Sequence, residues 1–151
     1  MQLWRIAKKE YALDRSGYGA KTAGGRWNLI GTPALYTGTT VEICALEALV
    51  HLSAVNPKGY VLVSVQIPTG KGMVYTPKET SLPHNWNALP VGELSQKFGN
   101  HWLSSNRSLA MVVPSAVIPE ARNVIINPAH PEVKKIKLEV IRDFAFDIRL
   151  G

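Results

Sequence analysis

Arg26, Tyr36 and Glu47 fall in one short stretch of chain, and each is a residue type suited to chemistry on a nucleotide. Arginine grips a pyrophosphate through paired, parallel hydrogen bonds. Tyrosine offers a flat face to a heteroaromatic ring. A carboxylate in a cleft can orient a ribose hydroxyl or stabilise an oxocarbenium-like transition state. Together these parts suit transfer or hydrolysis at a glycosidic bond. Ser115, in Val112-Val113-Pro114-Ser115-Ala116-Val117, is a fourth candidate, because its hydroxyl follows a proline that interrupts an apolar strand. That hydroxyl could leave a sheet edge toward a ligand, or bond its own backbone in a turn.

The element that must position Glu47 is a helix, expected over residues 39–54. Thr39 is the expected N-cap, with Glu42 three residues on in capping-box spacing. Val41, Cys44, Ala45, Ala48, Leu49 and Leu52 follow the spacing of one apolar face. Ile43, Leu46 and Val50 make much of the other side apolar too, so the helix is expected to be buried nearly all round. Glu47 and His51, four apart, occupy the remaining strip and could face each other. An ionised carboxylate on a buried helix costs several kcal/mol unless it is paired or opens onto a cleft. Two readings of Glu47 follow, a cleft residue or a surface residue bridged to a lysine, and the apolar surroundings favour the cleft.

Around that helix the chain reads mainly as strands: residues 3–6, 34–37, 60–67, 109–113 with a break at Pro114 before 116–118, 124–126, 137–141 and 144–150. Residues 11–27, rich in glycine and polar groups, read as a long loop. Residues 73–92 read as loop with short extended pieces, and residues 91–104 as a second helix carrying Phe98 and Trp102 four apart. The order is neither regular βαβ alternation nor all-β, and it predicts a single α+β domain of twisted mixed or antiparallel sheets.

At 151 residues and 46% hydrophobic content the chain can bury a full core. A net charge of +6 is compatible with nucleic acid, an acidic protein or an anionic small ligand, and does not choose among them. The basic residues are scattered, Lys134-Lys135-Ile136-Lys137 being the nearest approach to a cluster. No signal-peptide pattern or membrane-length apolar run is evident, so a cytoplasmic protein is expected. The single cysteine, Cys44, reads as a small core hydrophobe. The four histidines show no metal-ligand spacing, and no metal is expected. Gly17-Tyr18-Gly19 and Gly24-Gly25 lack the spacing of the common phosphate-binding fingerprints and read as a flexible loop.

The arginine, the tyrosine and the carboxylate suit cleavage of the nicotinamide–ribose bond of NAD. In addition, the chain resembles RES-domain proteins, the toxin half of RES–Xre toxin–antitoxin pairs, named for an arginine, a glutamate and a serine. The matching residues are Arg26 in Gly25-Arg26-Trp27-Asn28, Glu47 in Ala45-Leu46-Glu47-Ala48-Leu49-Val50-His51-Leu52, and Ser115 in Val113-Pro114-Ser115-Ala116. Tyr36 in Ala34-Leu35-Tyr36-Thr37 matches the family's active-site tyrosine, and Arg5 in Leu3-Trp4-Arg5-Ile6 a second arginine. Asn127-Pro128-Ala129-His130-Pro131 is similar to an Asn-Pro-x-His-Pro segment of the family, and on that basis Asn127 joins the substrate-binding set. The resemblance spans nearly the whole chain, and the glutamate helix is its most specific part.

The resemblance implies a fold similar to ADP-ribosyltransferases, with two sheets around a cleft that holds NAD as substrate rather than as cofactor. It implies that Arg5 and Arg26 hold the pyrophosphate, that Tyr36 lies against the nicotinamide end, and that Glu47 supports charge on the ribose. Ser115 would bind the ribose or an adjacent phosphate. It further implies NAD depletion by hydrolysis or phosphorolysis and an Xre-type antitoxin that covers the cleft, with a homodimer within that complex allowed. Two alternatives stand beside it. A protein-directed ADP-ribosyltransferase would use the same cleft. A basic nucleic-acid-binding module would give Glu47 no role and would bind with strong salt dependence; direct nucleic-acid binding is not expected.

Overall fold

A computed structural model describes residues 1–52 and 57–150. Ten elements follow in order: β1 (Gln2–Lys8), α1 (Tyr18–Ala23), β2 (Leu35–Gly38), α2 (Val41–His51), β3 (Tyr60–Gln66), β4 (Val74–Tyr75), α3 (Glu93–Ser105), β5 (Ala110–Pro114), β6 (Arg122–Ile126) and β7 (Lys137–Phe144). The fold is α+β. The strands form a seven-stranded mixed sheet in the order β4-β5-β6-β2-β1-β3-β7. Every neighbouring pair is antiparallel except β4 with β5.

The expected two sheets are therefore one, but the join between its halves is narrow. β1 pairs with β3 along its whole length, from Gln2 opposite Gln66 to Lys8 opposite Tyr60. It meets β2 at a single pair, Trp4 opposite Gly38. Continued in register, Arg5 would face Thr37 and Ile6 would face Tyr36. Those pairs do not form, and these same residues line a cleft. The sheet stays hydrogen-bonded at one point and opens beside it.

Strand alternation places a core on each face of the sheet. Leu3, Leu35, Val61, Val63, Val65, Ala110, Val124 and Ile126 build one. Met111, Val113 and Ile125 point the other way, into a cluster with Trp27, Ala34, Leu82, Trp102 and Leu103. In that second core Trp27, only 2% exposed, stacks on Trp86 at 6.2 Å and meets the edge of Phe98 at 6.0 Å. α3 can approach because Gly99 has no side chain: a Cβ there would run into the backbone carbonyl of Trp27.

Several expectations change in detail. α2 is capped by Thr40, whose hydroxyl accepts from the Ile43 N–H at 3.2 Å, rather than by Thr39. Thr39 is engaged with the sheet, donating both its N–H and its hydroxyl to the Arg122 carbonyl. Nor is α2 buried all round: Ile43 and Cys44 are its buried residues, while Val50 is 61% exposed, because one side alone packs on β1 and β2. The part of that expected helix falling on Ser53 and Ala54 lies outside the described residues.

The long loop expected over residues 11–27 contains α1, which begins after Gly17 in the left-handed region (φ 67°). Its glycines hide it from propensity, and tertiary bonds hold it: the Asn28 amide donates to the Ala20 carbonyl, and the Gly31 N–H to that of Lys21. The strand expected after Pro114 is a turn, because the Ser115 hydroxyl accepts from the N–H groups of Val117 and Ile118. The final strand ends at Phe144, and residues 148–150 form a 3-10 turn. Phe146 packs edge-on against Phe144 and Tyr60 there. Among the described residues, no helix is long and apolar enough to cross a membrane.

The close approach of α3 to Trp27 yields a direct test. Gly99→Ala should lower stability by about 1–3 kcal/mol, the usual cost of overpacking a filled core. The measurement is the urea unfolding midpoint, and an unchanged midpoint would show that α3 moves outward without penalty.

Candidate active site

The cleft beside the β1–β2 parting has a volume of about 1000 Å³. That is ample for a dinucleotide by the usual range of small-molecule sites, roughly 300–1,000 Å³. β1 supplies Arg5, β2 supplies Tyr36 and Thr37, α2 supplies Cys44, Glu47 and His51, and the loop before β2 supplies Gly24, Gly25 and Arg26.

Glu47 is fixed through one oxygen. Its Oε1 accepts from the Ser115 hydroxyl at 2.7 Å and from the Asn123 amide at 2.6 Å. Both donors converge on that oxygen, and hydrogen bonds to a charged group stabilise by roughly 1.5–3 kcal/mol each. Among the described residues Oε2 has no protein donor. The carboxylate is therefore held in place at one oxygen while the other keeps its lone pairs. The expected pairing of Glu47 with His51 takes another form, because the imidazole Nδ1 lies 2.7 Å from the Glu47 backbone oxygen and not from its carboxylate.

Ser115 is fully buried, and this changes its expected place. It is not among the residues that line the cleft. Its hydroxyl donates to Glu47 and accepts from two backbone N–H groups, so the turn and the site readings each hold a part. Asn127 likewise lies away from the cleft at 1% exposure. Its amide donates to the Leu103 carbonyl and to Asn106 Oδ1, and its own Oδ1 accepts from the Ala129 N–H. Both polar atoms of that side chain are engaged in fastening the end of β6 to the end of α3.

The arginine loop is built from Tyr36 and Asn28. The Tyr36 hydroxyl donates to Asn28 Oδ1 at 2.7 Å and accepts from the Trp27 N–H at 3.0 Å. Asn28, fully buried, spends its amide on the carbonyls of Ala20 and Thr32 at 2.8 and 2.9 Å. Gly25 passes directly over this junction; a Cβ there would sit 2.7 Å from the Tyr36 hydroxyl oxygen. Burial pushes the Tyr36 phenol well above the usual tyrosine range, so it stays neutral and keeps donating. Its ring still lines the cleft.

Arg26 is half-buried, and both of its hydrogen bonds use Nη1, donated to the carbonyls of Trp86 and Ala88 at 2.9 and 3.0 Å. Nε and Nη2 are left for an anion. Burial lowers its pKa and nearby Glu47 opposes that shift, but a guanidinium stays charged. Arg5 is in the same condition, lowered by burial and raised by Asp14, with Nη1 donating to the Asp14 carbonyl at 3.3 Å. Cys44 donates its thiol to the Trp4 carbonyl, and burial pushes its pKa up to about 12, so it is no nucleophile here.

Arg5, Arg26, Tyr36 and Glu47 thus surround one cleft, with Ser115 directly behind it. Sequence reasoning missed Asn123, which opens β6 in Arg122-Asn123-Val124-Ile125-Ile126 opposite Gly38. A polar residue at the start of an apolar strand was the available signal. It also missed the structural weight of Asn28.

The RES domain family model matches residues 2–149. The chain is 39% identical over 154 residues to the "Prs ADP-ribosylating toxin" of Sphingobium sp. (strain YBL2), covering 97% of this chain and 94% of that protein. It is 37% identical to "Toxin Res" of Photorhabdus laumondii, covering 99% and 97%. It is 36% identical to "Toxin Res" of Pseudomonas putida, covering 99% of each chain. A chain in the crystal structure of the M. tuberculosis MbcT–MbcA toxin–antitoxin complex superposes with a TM-score of 0.68 at 17% identity, over 99% of this chain and 85% of that one, which is a likeness of fold. With its family model matched almost end to end and toxins of that name among its relatives, the chain belongs to the RES domain family.

Proposed function

We propose that this protein is the toxin of a toxin–antitoxin pair and cleaves the nicotinamide–ribose bond of NAD. The observation that carries the reading is the Glu47 carboxylate, held at Oε1 by Ser115 and Asn123 beside a cleft that two arginines line. A preorganised anion at that point stabilises positive charge developing on a ribose without having to reorganise during the reaction. Arg5 and Arg26 meet the two phosphates, Arg26 through Nε and Nη2. Tyr36 lays its ring against the nicotinamide end. Ser115 and Asn123 act through Glu47. NAD is substrate, and no cofactor is invoked. An antitoxin partner is supported by the toxin–antitoxin complex whose toxin fold this chain shares. Its Xre type rests on the sequence resemblance.

A second reading, transfer of ADP-ribose to a protein side chain, uses the same cleft. It is favoured by the relative at 39% identity whose name is "Prs ADP-ribosylating toxin". Labelled NAD incubated with cell lysate separates the two, since transfer leaves label on protein and hydrolysis or phosphorolysis leaves it on a small molecule.

The first test is nicotinamide release from NAD by purified protein, with and without phosphate. Glu47→Gln keeps the shape and removes the charge, so turnover should fall at least ~10²-fold with the unfolding midpoint nearly unchanged, as for loss of a transition-state electrostatic group. Full activity in that variant removes the central claim. Arg26→Ala should weaken binding of ADP-ribose, measured calorimetrically, by roughly tenfold or more, the scale of a lost charge-assisted hydrogen bond. Unchanged affinity would place the pyrophosphate elsewhere.

A further inference from the structure

His51 lies one turn beyond Glu47 on α2, about 6 Å of axial rise at ~1.5 Å per residue, and lines the same cleft. Its Nδ1 is 2.7 Å from the Glu47 backbone oxygen. A carbonyl oxygen can only accept, so Nδ1 carries the proton in that bond. In the neutral ring the lone pair then belongs to Nε2. The bond also turns the imidazole back along the helix toward Glu47 and restricts its rotation.

We propose that His51 is the base that activates the acceptor, Nε2 taking a proton from a neutral protic nucleophile as it attacks ribose C1′. The acceptor is water or the hydroxyl or amine of a side chain. The inference rests on the NAD-cleaving reading above and narrows it, since a phosphate anion needs no such base. In the step, the acceptor's O–H or N–H bond breaks and its proton passes to Nε2. The new bond forms to C1′, and the electron pair of the C1′–N bond leaves with neutral nicotinamide. Glu47 meets the charge on the ribose from one turn away. His51 is exposed at the cleft margin, where an acceptor enters from solvent.

The other titratable groups around the cleft do not suit the role. Arg5 and Arg26 stay charged. Tyr36 and Cys44 hold their protons, raised by burial. Asp14 is turned to the Ser16 hydroxyl and N–H, which lower its pKa against the opposing effect of burial. Glu47 is held through Oε1 by Ser115 and Asn123, and in the reading above its free oxygen is spent on the charge of the ribose.

The test uses the full chain with NAD from about pH 5 to about pH 9, comparing wild type, His51→Gln, His51→Ala and Glu47→Gln for nicotinamide and ADP-ribose formation. The glutamine amide can still donate to the Glu47 carbonyl, so the helix end keeps its bond while the base is lost. Wild-type turnover should rise with pH, as general-base catalysis requires. His51→Gln should lose that rise and ~10²-fold or more of the rate, and added imidazole should restore part of the rate to His51→Ala. A side-chain acceptor should give the same signature in transfer of labelled NAD to lysate protein. His51→Gln with the wild-type rate and profile overturns the role, as does a slower variant whose pH profile is unchanged. Wild-type protein that neither releases nicotinamide nor labels lysate protein overturns the NAD-cleaving reading, and the role of His51 with it.

Discussion

Beyond the Trp4–Gly38 pair, β1 and β2 give up the hydrogen bonds that adjacent strands normally exchange, and the site exists because they do. Peptide groups along the parted edges must find water or a bound molecule, a cost a sheet accepts only where something is gained. Here the gain is a cleft reached from both halves. Arg5 comes from the half made of β1, β3 and β7. Tyr36 and Asn123 come from the half made of β4, β5, β6 and β2. α2 leaves β2 almost at the point of parting and carries Glu47 across the opening.

The polar groups around this opening divide into those that face the cleft and those that hold them. Ser115 and Asn28 only hold, the first a carboxylate and the second a tyrosine and a loop, whereas Asn123 holds the same carboxylate and also lines the cleft. None of the described buried side-chain nitrogens or oxygens lacks a hydrogen-bond partner. A fully satisfied network of this kind confers rigidity, whereas a partly satisfied one would destabilise the fold. The arginines are the opposite case, large charged groups whose donors are only partly used.

How much was legible in the sequence depended on whether a residue's role is local. The glutamate helix was readable because an acid among apolar neighbours has few explanations, and β3 because Tyr-Val-Leu-Val-Ser-Val-Gln is β-branched and ends before Pro68. The glutamate, the tyrosine and both arginines were found and do share a cleft. Ser115 was found, but its burial behind Glu47 depends on a contact across 68 positions that no local pattern encodes. Asn123 acts across 76 positions. Asn127 was assigned to substrate on resemblance, although its three hydrogen bonds are all structural. α1 escaped because its stability comes from Asn28 and not from propensity. The single sheet escaped because whether strands join at one pair or at none is decided in three dimensions.

The ring formed by Gly25, Asn28 and the Tyr36 hydroxyl has a consequence for how such a protein can be silenced. Asn28 is fully buried and spends its side chain on four groups. Melting the segment that carries Arg26 would strand all of them at once and pull Trp27 from its stack with Trp86. No inexpensive disordered state of the loop is then available to a regulator, in contrast to enzymes whose binding loops order only on demand. A body that obstructed the opening from outside would leave this loop in place, and on its removal the cleft would stand already assembled.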